Sequence, residues 1–101
     1  MTSPKEFDIF FLLSDSSRRK ILKIIHENGG NMRFCSMYDK LNSSVGSIYH
    51  HLYMLESASL ILNNNHIYEI TEKGKVILSL IEKIQEAFGG LPNEANNSVK
   101  S

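Results

Sequence analysis

Apolar residues recur along most of the chain at the three- and four-residue spacing of helices, interrupted by short stretches rich in β-forming residues. A helix is predicted over residues 16–27, with Ser14 or Asp15 as its N-cap. Asn28-Gly29-Gly30 ends it, because glycine tolerates the left-handed conformation at a helix C-terminus. The inner face of this helix consists of four aliphatic residues: Ile21, Leu22, Ile24 and Ile25.

Two shorter elements and a further helix follow in the middle of the chain. Met32-Arg33-Phe34 is predicted as a short strand, and a helix from about Ser36 to Leu41 comes after it. Ser44 is a suitable N-cap for a helix over residues 45–57. The buried stripe of that helix has the spacing i, i+4, i+7 and comprises Ile48, Leu52 and Leu55.

The pattern then changes to a hairpin and returns to a helix. Residues 60–62 and 67–70 are rich in β-formers, and the turn between them, Asn63-Asn64-Asn65-His66, contains residues that tolerate positive φ. Thr71 is the predicted N-cap of a long last helix that ends at about Phe88.

The N-terminal segment predicts a helix that is apolar on nearly every side. Ser3 can cap it, Pro4 suits its first position, and Glu6 can reach back as in a capping box. Apolar side chains follow almost without interruption: Phe7, Ile9, Phe10, Phe11, Leu12 and Leu13. Such a helix is buried on nearly every side, and a chain of 101 residues has little material to do that alone.

The predicted order is helix, helix, strand, helix, helix, hairpin, helix. A mainly α-helical domain with two short helices and a β-hairpin wing in this order is a winged helix-turn-helix. We expect it to span residues 1–88, terminal helices included, and the polar segment 89–101 to be a disordered tail.

Composition restricts the classes of function that the chain can have. The 11 Lys and Arg balance the 11 Asp and Glu, so attraction to nucleic acid must come from local charge. The single Cys, Cys35, rules out an internal disulfide, and the start of the chain does not resemble a signal peptide, so we expect a cytoplasmic protein. No nucleophile with a matched base, no metal-ligand spacing and no phosphate loop is visible; neither an enzyme nor a cofactor is expected. Cys35 is expected to be a small, at least half-buried residue.

Three segments together resemble the ArsR-type winged helix-turn-helix regulators and their archaeal relatives. These are 13–22, at the start of the second helix, 48–61, from the fourth helix into the hairpin, and 68–75, from the hairpin into the last helix. The resemblance covers about residues 7–88 and implies a homodimer that pairs through its terminal helices and binds double-stranded operator DNA. Two features depart from the family: residues 42–71 contain no Lys or Arg, and Ser59 stands where glycine is usual. Since only one Cys lies near the third helix, metal sensing is not implied.

Given this fold, the outward face of the fourth helix is the candidate DNA-reading surface. Its side chains can donate to or accept from base edges and phosphates, and a glycine near the helix start lets a phosphate approach the backbone. The alternative is a solvated face on which two tyrosines at i and i+4 stack on each other. The candidates are Ser44, Gly46, Ser47, Tyr49, His50 and Tyr53. His51 lies nearer the apolar stripe and is expected to be half-buried and structural.

Two further groups are candidates for DNA contact. Arg18, Arg19 and Lys20, with Lys23, form a basic cluster at a helix start that could hold the DNA backbone, or could be an ordinary charged face. Asn64 and Asn65 at the hairpin tip could enter a minor groove, or could simply favour the turn.

The terminal helices predict self-association. Both carry more large apolar side chains than one small domain can bury, and a two-fold interface would cover them. The expected interface residues are Phe7, Phe10, Phe11, Ile77, Leu80, Ile81, Ile84 and Phe88, with Val76 and Leu78 broadening the stripe of the last helix. The fourth helices of the two copies would then lie about one DNA turn apart, ~34 Å.

A second function remains open. A winged helix without cations on its reading helix can dock a protein partner instead of DNA, through Tyr49, Tyr53 and their neighbours, because tyrosine is favoured at interfaces. A third and weaker hypothesis is a sensor that responds through Cys35.

Overall fold

The computed structural model describes residues 8–90 and confirms the predicted fold class. Five helices surround a small antiparallel sheet, in the predicted order. In chain order the elements are α1 (Ile9–Leu13), α2 (Ser16–Glu27), β1 (Asn31–Arg33), α3 (Phe34–Lys40), α4 (Val45–Ser57), β2 (Ile61–Asn64), β3 (Ile67–Ile70) and α5 (Glu72–Gly90).

The sheet has three strands in the order β1-β3-β2. The β2–β3 hairpin pairs Ile61 with Ile70, and β1 joins the other edge of β3 with Met32 opposite Tyr68. The predicted short strand is therefore part of the same sheet as the hairpin, with β3 in the middle. This pairing fixes the hairpin to the segment that leads directly into α3.

The core lies between α2, α4 and the sheet. The predicted stripe of α4 is fully buried, as are most of the predicted inner residues of α2. Ile24 is the exception, since it is only half-buried. The large side chains that are fully buried are Leu12, Ile21, Leu22, Ile25, Met32, Met37, Ile48, Leu52, Leu55, Leu60 and Ile61.

The predicted helix caps are confirmed, whereas the hairpin turn is shorter than predicted, because Asn63 and Asn64 belong to β2. Asp15 caps α2 by accepting from the Ser17 N–H at 2.8 Å, and Ser44 caps α4 by accepting from the Ser47 N–H at 3.2 Å. Thr71 accepts from the Gly74 N–H at the start of α5. In the hairpin turn, Asn65 and His66 both have positive φ, the backbone that a two-residue turn of this twist requires.

Gly74 marks the closest approach in the fold. A Cβ at this position would lie 2.2 Å from the carbonyl oxygen of Leu60. Because that neighbour is backbone, nothing nearby can yield, and the first turn of α5 packs against the entry into β2 only with glycine here.

Several predicted boundaries are wrong. The described part of α1 begins at Ile9 with Asp8 as its N-cap; Ser3, Pro4, Glu6 and Phe7 lie outside the described residues. The strand β1 covers Asn31–Arg33, so that Phe34 belongs to α3. The helix α5 continues through Gly89 and Gly90, which were expected to end it. The predicted disordered tail therefore cannot begin before residue 91, and the residues from there on also lie outside the described part.

Both terminal helices leave large apolar side chains in solvent. Only Leu12 of α1 is buried, and on α5 Leu78 belongs to the core instead of the outward stripe. The exposed members are Phe10, Phe11, Val76, Leu80, Ile84 and Phe88, while Ile77 and Ile81 are half-buried. Even so, the helices between residues 8 and 90 are all too short or too polar to cross a bilayer.

Candidate nucleic-acid interface

The outward face of α4 is as accessible as predicted. Ile48, Leu52 and Leu55 point into the core, and most of the other residues of α4 face solvent. Gly46, Ser47, Tyr49, His50 and Tyr53 are all exposed, with Tyr53 at 66 %. The Ser44 hydroxyl is also accessible, but it is already engaged as the helix cap.

Tyr49 is held by α3. Its ring lies 4.2 Å from the ring of Phe34, nearly parallel at 11°, and Phe34 in turn lies 6.3 Å from Tyr38. The alternative in which Tyr49 stacks on Tyr53 is therefore wrong. An aromatic row across α3 and α4 orients Tyr49, whereas Tyr53 extends freely into solvent.

Gly46 has no packing reason to be glycine. A Cβ built at this position meets no atom within 4 Å, and its φ is not in the left-handed region. Glycine in a helix costs about 1 kcal/mol relative to alanine. The residue thus lowers helix stability while leaving the first turn of α4 bare, which is what close approach of a ligand to the backbone N–H groups needs.

The tip of the hairpin is polar and carries no Lys or Arg. Asn63 accepts from the His66 N–H at 3.0 Å, which closes the turn. The Asn64 amide donates to Glu69 across the hairpin at 3.2 Å, and Asn65 occupies the tip with a φ of 56°. These bonds agree with the turn interpretation of the asparagines, and both Asn64 and Asn65 remain exposed.

Arg18 is not the surface cation that the sequence suggested. It is only 6 % exposed and donates to the Leu12 carbonyl and to His51 Nδ1, both at 3.2 Å. The sequence signal that could have found this is the position of Arg18 in the apolar pattern, three and four residues before Ile21 and Leu22. The expected phosphate contact is therefore corrected at this residue.

The remaining basic residues of α2 turn away from α4. Arg19, Lys20 and Lys23 line an open groove between α2 and α5, together with Glu27 and Glu82. They are rotated roughly 100° to 200° about the helix axis from Arg18, whose side chain is directed toward α4. Arg19 is half-buried and its guanidinium donates to the carbonyl of Leu13. The predicted four-residue cluster does not form one surface beside α4.

Sequence reasoning missed the contribution of α3. Arg33 is exposed at the N-cap of α3, directly before the Phe34 ring that supports Tyr49. Tyr38 is 44 % exposed and extends the aromatic row. The spacing of Phe34 and Tyr38 at i and i+4 is the signal that could have found this row, and the strand prediction for Phe34 obscures it.

Cys35 and His51 differ in how far their side chains are buried. Cys35 is exposed, so the expectation of a half-buried side chain is wrong. His51 is half-buried, as expected, with its side chain 12 % exposed. Among residues 8–90 there is no group of three or more His, Cys, Asp or Glu placed to hold a metal ion.

The apolar surface of α1 and α5 forms a second groove, which Ser14, Arg19 and Gln85 also border. It is lined by Phe10 and Leu13 of α1 and by Ile81, Ile84 and Phe88 of α5. Phe10 and Phe88 are 81 % and 84 % exposed. Contiguous exposed apolar surface of this kind is typical of association sites.

Comparison with known proteins agrees with the fold. A protein of Methanocaldococcus jannaschii, whose name reads "uncharacterized HTH-type transcriptional regulator", is 31% identical over 85 residues, which cover 79% of this chain and 94% of that protein. No solved structure matches the chain significantly. The winged helix-turn-helix family matches residues 18–88, from within α2 to near the end of α5. The chain belongs to the winged helix-turn-helix family.

Proposed function

We propose that the protein is a DNA-binding transcriptional regulator that acts in the cytoplasm as a homodimer, with α4 in the major groove and the β2–β3 hairpin beside it. The observation that carries the proposal is the outward face of α4, where hydrogen-bonding side chains surround a bare first turn. Placed in a major groove, Ser47, His50 and Tyr53 can read base edges, and the N–H groups near Gly46 can meet a phosphate. The name of the M. jannaschii relative supports the same function.

The assignment to the ArsR-type subgroup is part of this proposal. It rests on the three segments that resemble that subgroup. The positive φ of Ser59, 63°, supports it further, because the usual glycine at this position would serve the same backbone conformation.

The dimer follows from the apolar surface of the terminal helices. Burying one large apolar side chain is worth roughly 1.5–3 kcal/mol, so leaving Phe10, Ile84 and Phe88 in water is costly. A two-fold axis beside α1 and α5 covers these side chains on both copies at once. The two α4 helices would then meet successive turns of one DNA face, as a palindromic site requires.

The cation that contacts phosphate beside α4 differs from the one that the sequence suggested. Arg33 replaces Arg18 as the cation of the reading surface, since it is exposed beside the aromatic row of α3 and α4. In a helix-turn-helix the first helix crosses the DNA backbone, and Arg33 stands at the start of that helix. Because few cations border α4, we expect weak affinity with a shallow salt dependence, about 0.9 in slope for each phosphate neutralised.

A protein partner is the second candidate function, and one observation favours it. Tyr38, Tyr49 and Tyr53 are exposed on neighbouring parts of α3 and α4, and no Lys or Arg lies between residues 42 and 71. Such a surface can dock on a protein through its aromatic rings.

Selection from a pool of random duplexes tests the proposal. We expect enrichment of a two-fold symmetric site whose half-sites lie about 10 base pairs apart. Fluorescence anisotropy at fixed salt then compares the selected duplex with a scrambled one. Ser47→Ala and Tyr53→Ala should each weaken binding to the selected duplex by roughly tenfold, since a good base contact is worth about 1–3 kcal/mol.

A matched control separates the reading surface from general charge. Arg33→Ala should weaken binding to both duplexes to a similar degree and reduce the salt slope by about 1, whereas Ser79→Ala on exposed α5 should change neither. Equal binding of selected and scrambled duplexes by the wild-type protein would contradict sequence-specific recognition and favour the protein partner.

A further inference from the structure

One buried cation connects three helices. Arg18 of α2 donates through Nη1 to the carbonyl of Leu12 in α1 and through Nε to Nδ1 of His51 in α4. Its guanidinium carbon also lies 5.8 Å from the centre of the Phe11 ring. The side chain is 6 % exposed, so these contacts are shielded from water. Arg18 therefore joins the helix that bears the apolar association surface to the helix that faces DNA.

The bond to His51 specifies a protonation state. Arginine only donates hydrogen bonds, so Nδ1 of His51 must accept and carries no proton. The neutral ring then has its proton on Nε2, which lies 4.0 Å from Oδ2 of Asp15. A second proton would have to enter at Nδ1, where it would oppose the N–H of Arg18.

The surroundings of His51 both lower and raise its pKa. Burial lowers the pKa of His51, and the positive charges of Arg18 and His50 lower it further, while Asp15 raises it. The net effect is a pKa below the ordinary value of histidine. Three charged or titratable groups face the His51 ring: Asp15 before α2, Arg18 from α2, and His50 from α4 itself. Asp15 stays ionised, because the Ser17 N–H and the nearby positive charges outweigh its burial and lower its pKa.

We propose that Arg18 and His51 form a proton-sensitive joint that positions α4 against α1 only while His51 is neutral. Arg18 and His51 are thus positioning residues, and the effect on DNA affinity rests on the proposed function. Since His51 is less basic in the folded protein than in the unfolded chain, its contribution is complete above the ordinary histidine pKa of about 6.5. The contribution is lost as the pH falls from there toward the lower pKa of the folded protein.

Nuclear magnetic resonance of the full chain tests the joint without DNA. Long-range ¹⁵N–¹H spectra should show His51 as the Nε2–H tautomer, with a titration midpoint below about 6.5. In a His50→Gln background, which removes the neighbouring histidine of α4, the backbone amides of α4 should shift with the midpoint of His51. In His51→Asn the side-chain oxygen can still accept from Arg18 but does not titrate, so this transition of α4 should disappear.

Two results would overturn the joint. One is a His51 ring that carries its proton on Nδ1 at neutral pH. The other is a pH transition of the α4 amides that is unchanged in His51→Asn. In His51→Asn the amide oxygen accepts from Arg18 in place of the ring nitrogen, so the buried hydrogen bond is kept. Arg18→Gln is a second variant, in which the titration midpoint of His51 should rise.

DNA affinity gives the second readout. His50 is a second histidine exposed on α4 and a candidate base contact, so the measurement uses a His50→Gln background and a duplex selected with that variant. In that background, affinity for the selected duplex should fall roughly tenfold between about pH 7.5 and about pH 5.5, and adding His51→Asn should abolish the fall.

The two readouts separate the two proposals. If the protein binds no duplex but His51 shows the expected tautomer and coupled midpoint, the joint stands and the proposed function fails. If it binds the selected duplex and the same fall in affinity persists in the His51→Asn variant, the joint fails and the proposed function stands.

Discussion

Ser59 closes α4 in a backbone conformation that suits glycine better than serine. Its φ is 63°, its N–H bonds to the carbonyl of Glu56, and the next N–H, of Leu60, reaches back to Leu55. This is the arrangement in which helices commonly end on a left-handed residue. A side chain in that conformation costs roughly 1–2 kcal/mol.

Ser59→Gly should therefore stabilise the protein. We expect a gain of about 0.5–1 kcal/mol in the free energy of unfolding, because relief of the strain exceeds the added entropy of glycine in the unfolded chain. Urea unfolding at one protein concentration measures it. Ser79→Gly, at an exposed site within α5, should lower stability instead, and a loss of stability in Ser59→Gly would show that the backbone here is not strained.

Individual residues were predictable where the chemistry is local. Ser44 and Thr71 cap their helices as expected, because an N-cap depends only on a hydroxyl and the next three N–H groups. Arg18 was not predictable in this way. Its partners, Leu12 and His51, lie 6 and 33 residues away, and only tertiary packing brings them to one place.

At the scale of elements, α3 and α4 depend on each other through aromatic rings. The Phe34 ring lies between the rings of Tyr38 and Tyr49, and it is only half-buried. The stack thus fixes the direction in which Tyr49 leaves α4, although neither helix buries it completely.

A double-mutant cycle measures this dependence. Phe34→Leu and Tyr49→Leu should show a coupling of about 0.5–1.5 kcal/mol in the free energy of unfolding, the range for aromatic pairs. The matched cycle of Phe34→Leu with Tyr53→Leu should show coupling near zero, because Tyr53 extends into solvent. Equal coupling in both cycles would mean that the stack has no special role.

Elements with strong end signals were predicted to the residue, and those with competing signals were not. Both α2 and α4 have the predicted bounds, because a capping residue precedes a regular apolar stripe in each. Between them, Phe34 suits a strand and a helix equally well by composition. Its place in α3 is decided by packing against Tyr49, which the linear pattern does not contain.

At the scale of the molecule, α5 has two faces with different roles. Gly74 and Leu78 are buried against the domain, while Val76, Leu80, Ile84 and Phe88 are directed outward. Because the helix has 19 residues, it is about 28 Å long, and its last two turns extend past the domain core. The exposed stripe therefore offers a long surface to a second copy.

Ile84→Lys should dissociate the proposed homodimer. The residue occurs once in each copy, so the substitution removes two buried side chains and weakens association by roughly 100-fold or more. Sedimentation equilibrium of the full chain gives the constant. Glu86→Lys places the same charge on another side of α5 and should leave association almost unchanged; a wild-type protein that is monomeric at high concentration would contradict the dimer.

The sequence shows that the terminal helices carry more large apolar residues than the core can bury. It does not show which of these residues are buried and which are exposed. Leu78 and Leu80 are two residues apart and equally apolar, yet one is 3 % and the other 50 % exposed. The difference arises from the close approach at Gly74, which sets the rotation of α5 about its axis. The directions of the basic side chains of α2 were likewise not visible in the linear pattern, because they depend on how α2 packs against α4 and α5.

The middle strand of the sheet also constrains the order of events during synthesis. Since β1 pairs only with β3, its hydrogen-bonding partners emerge from the ribosome more than thirty residues later. Until Ile70 has been made, α3 and α4 can form but have no sheet to hold them in register. The sheet, and with it the packing of α3 and α4 against the hairpin, can therefore form only after residues 67–70 have been made.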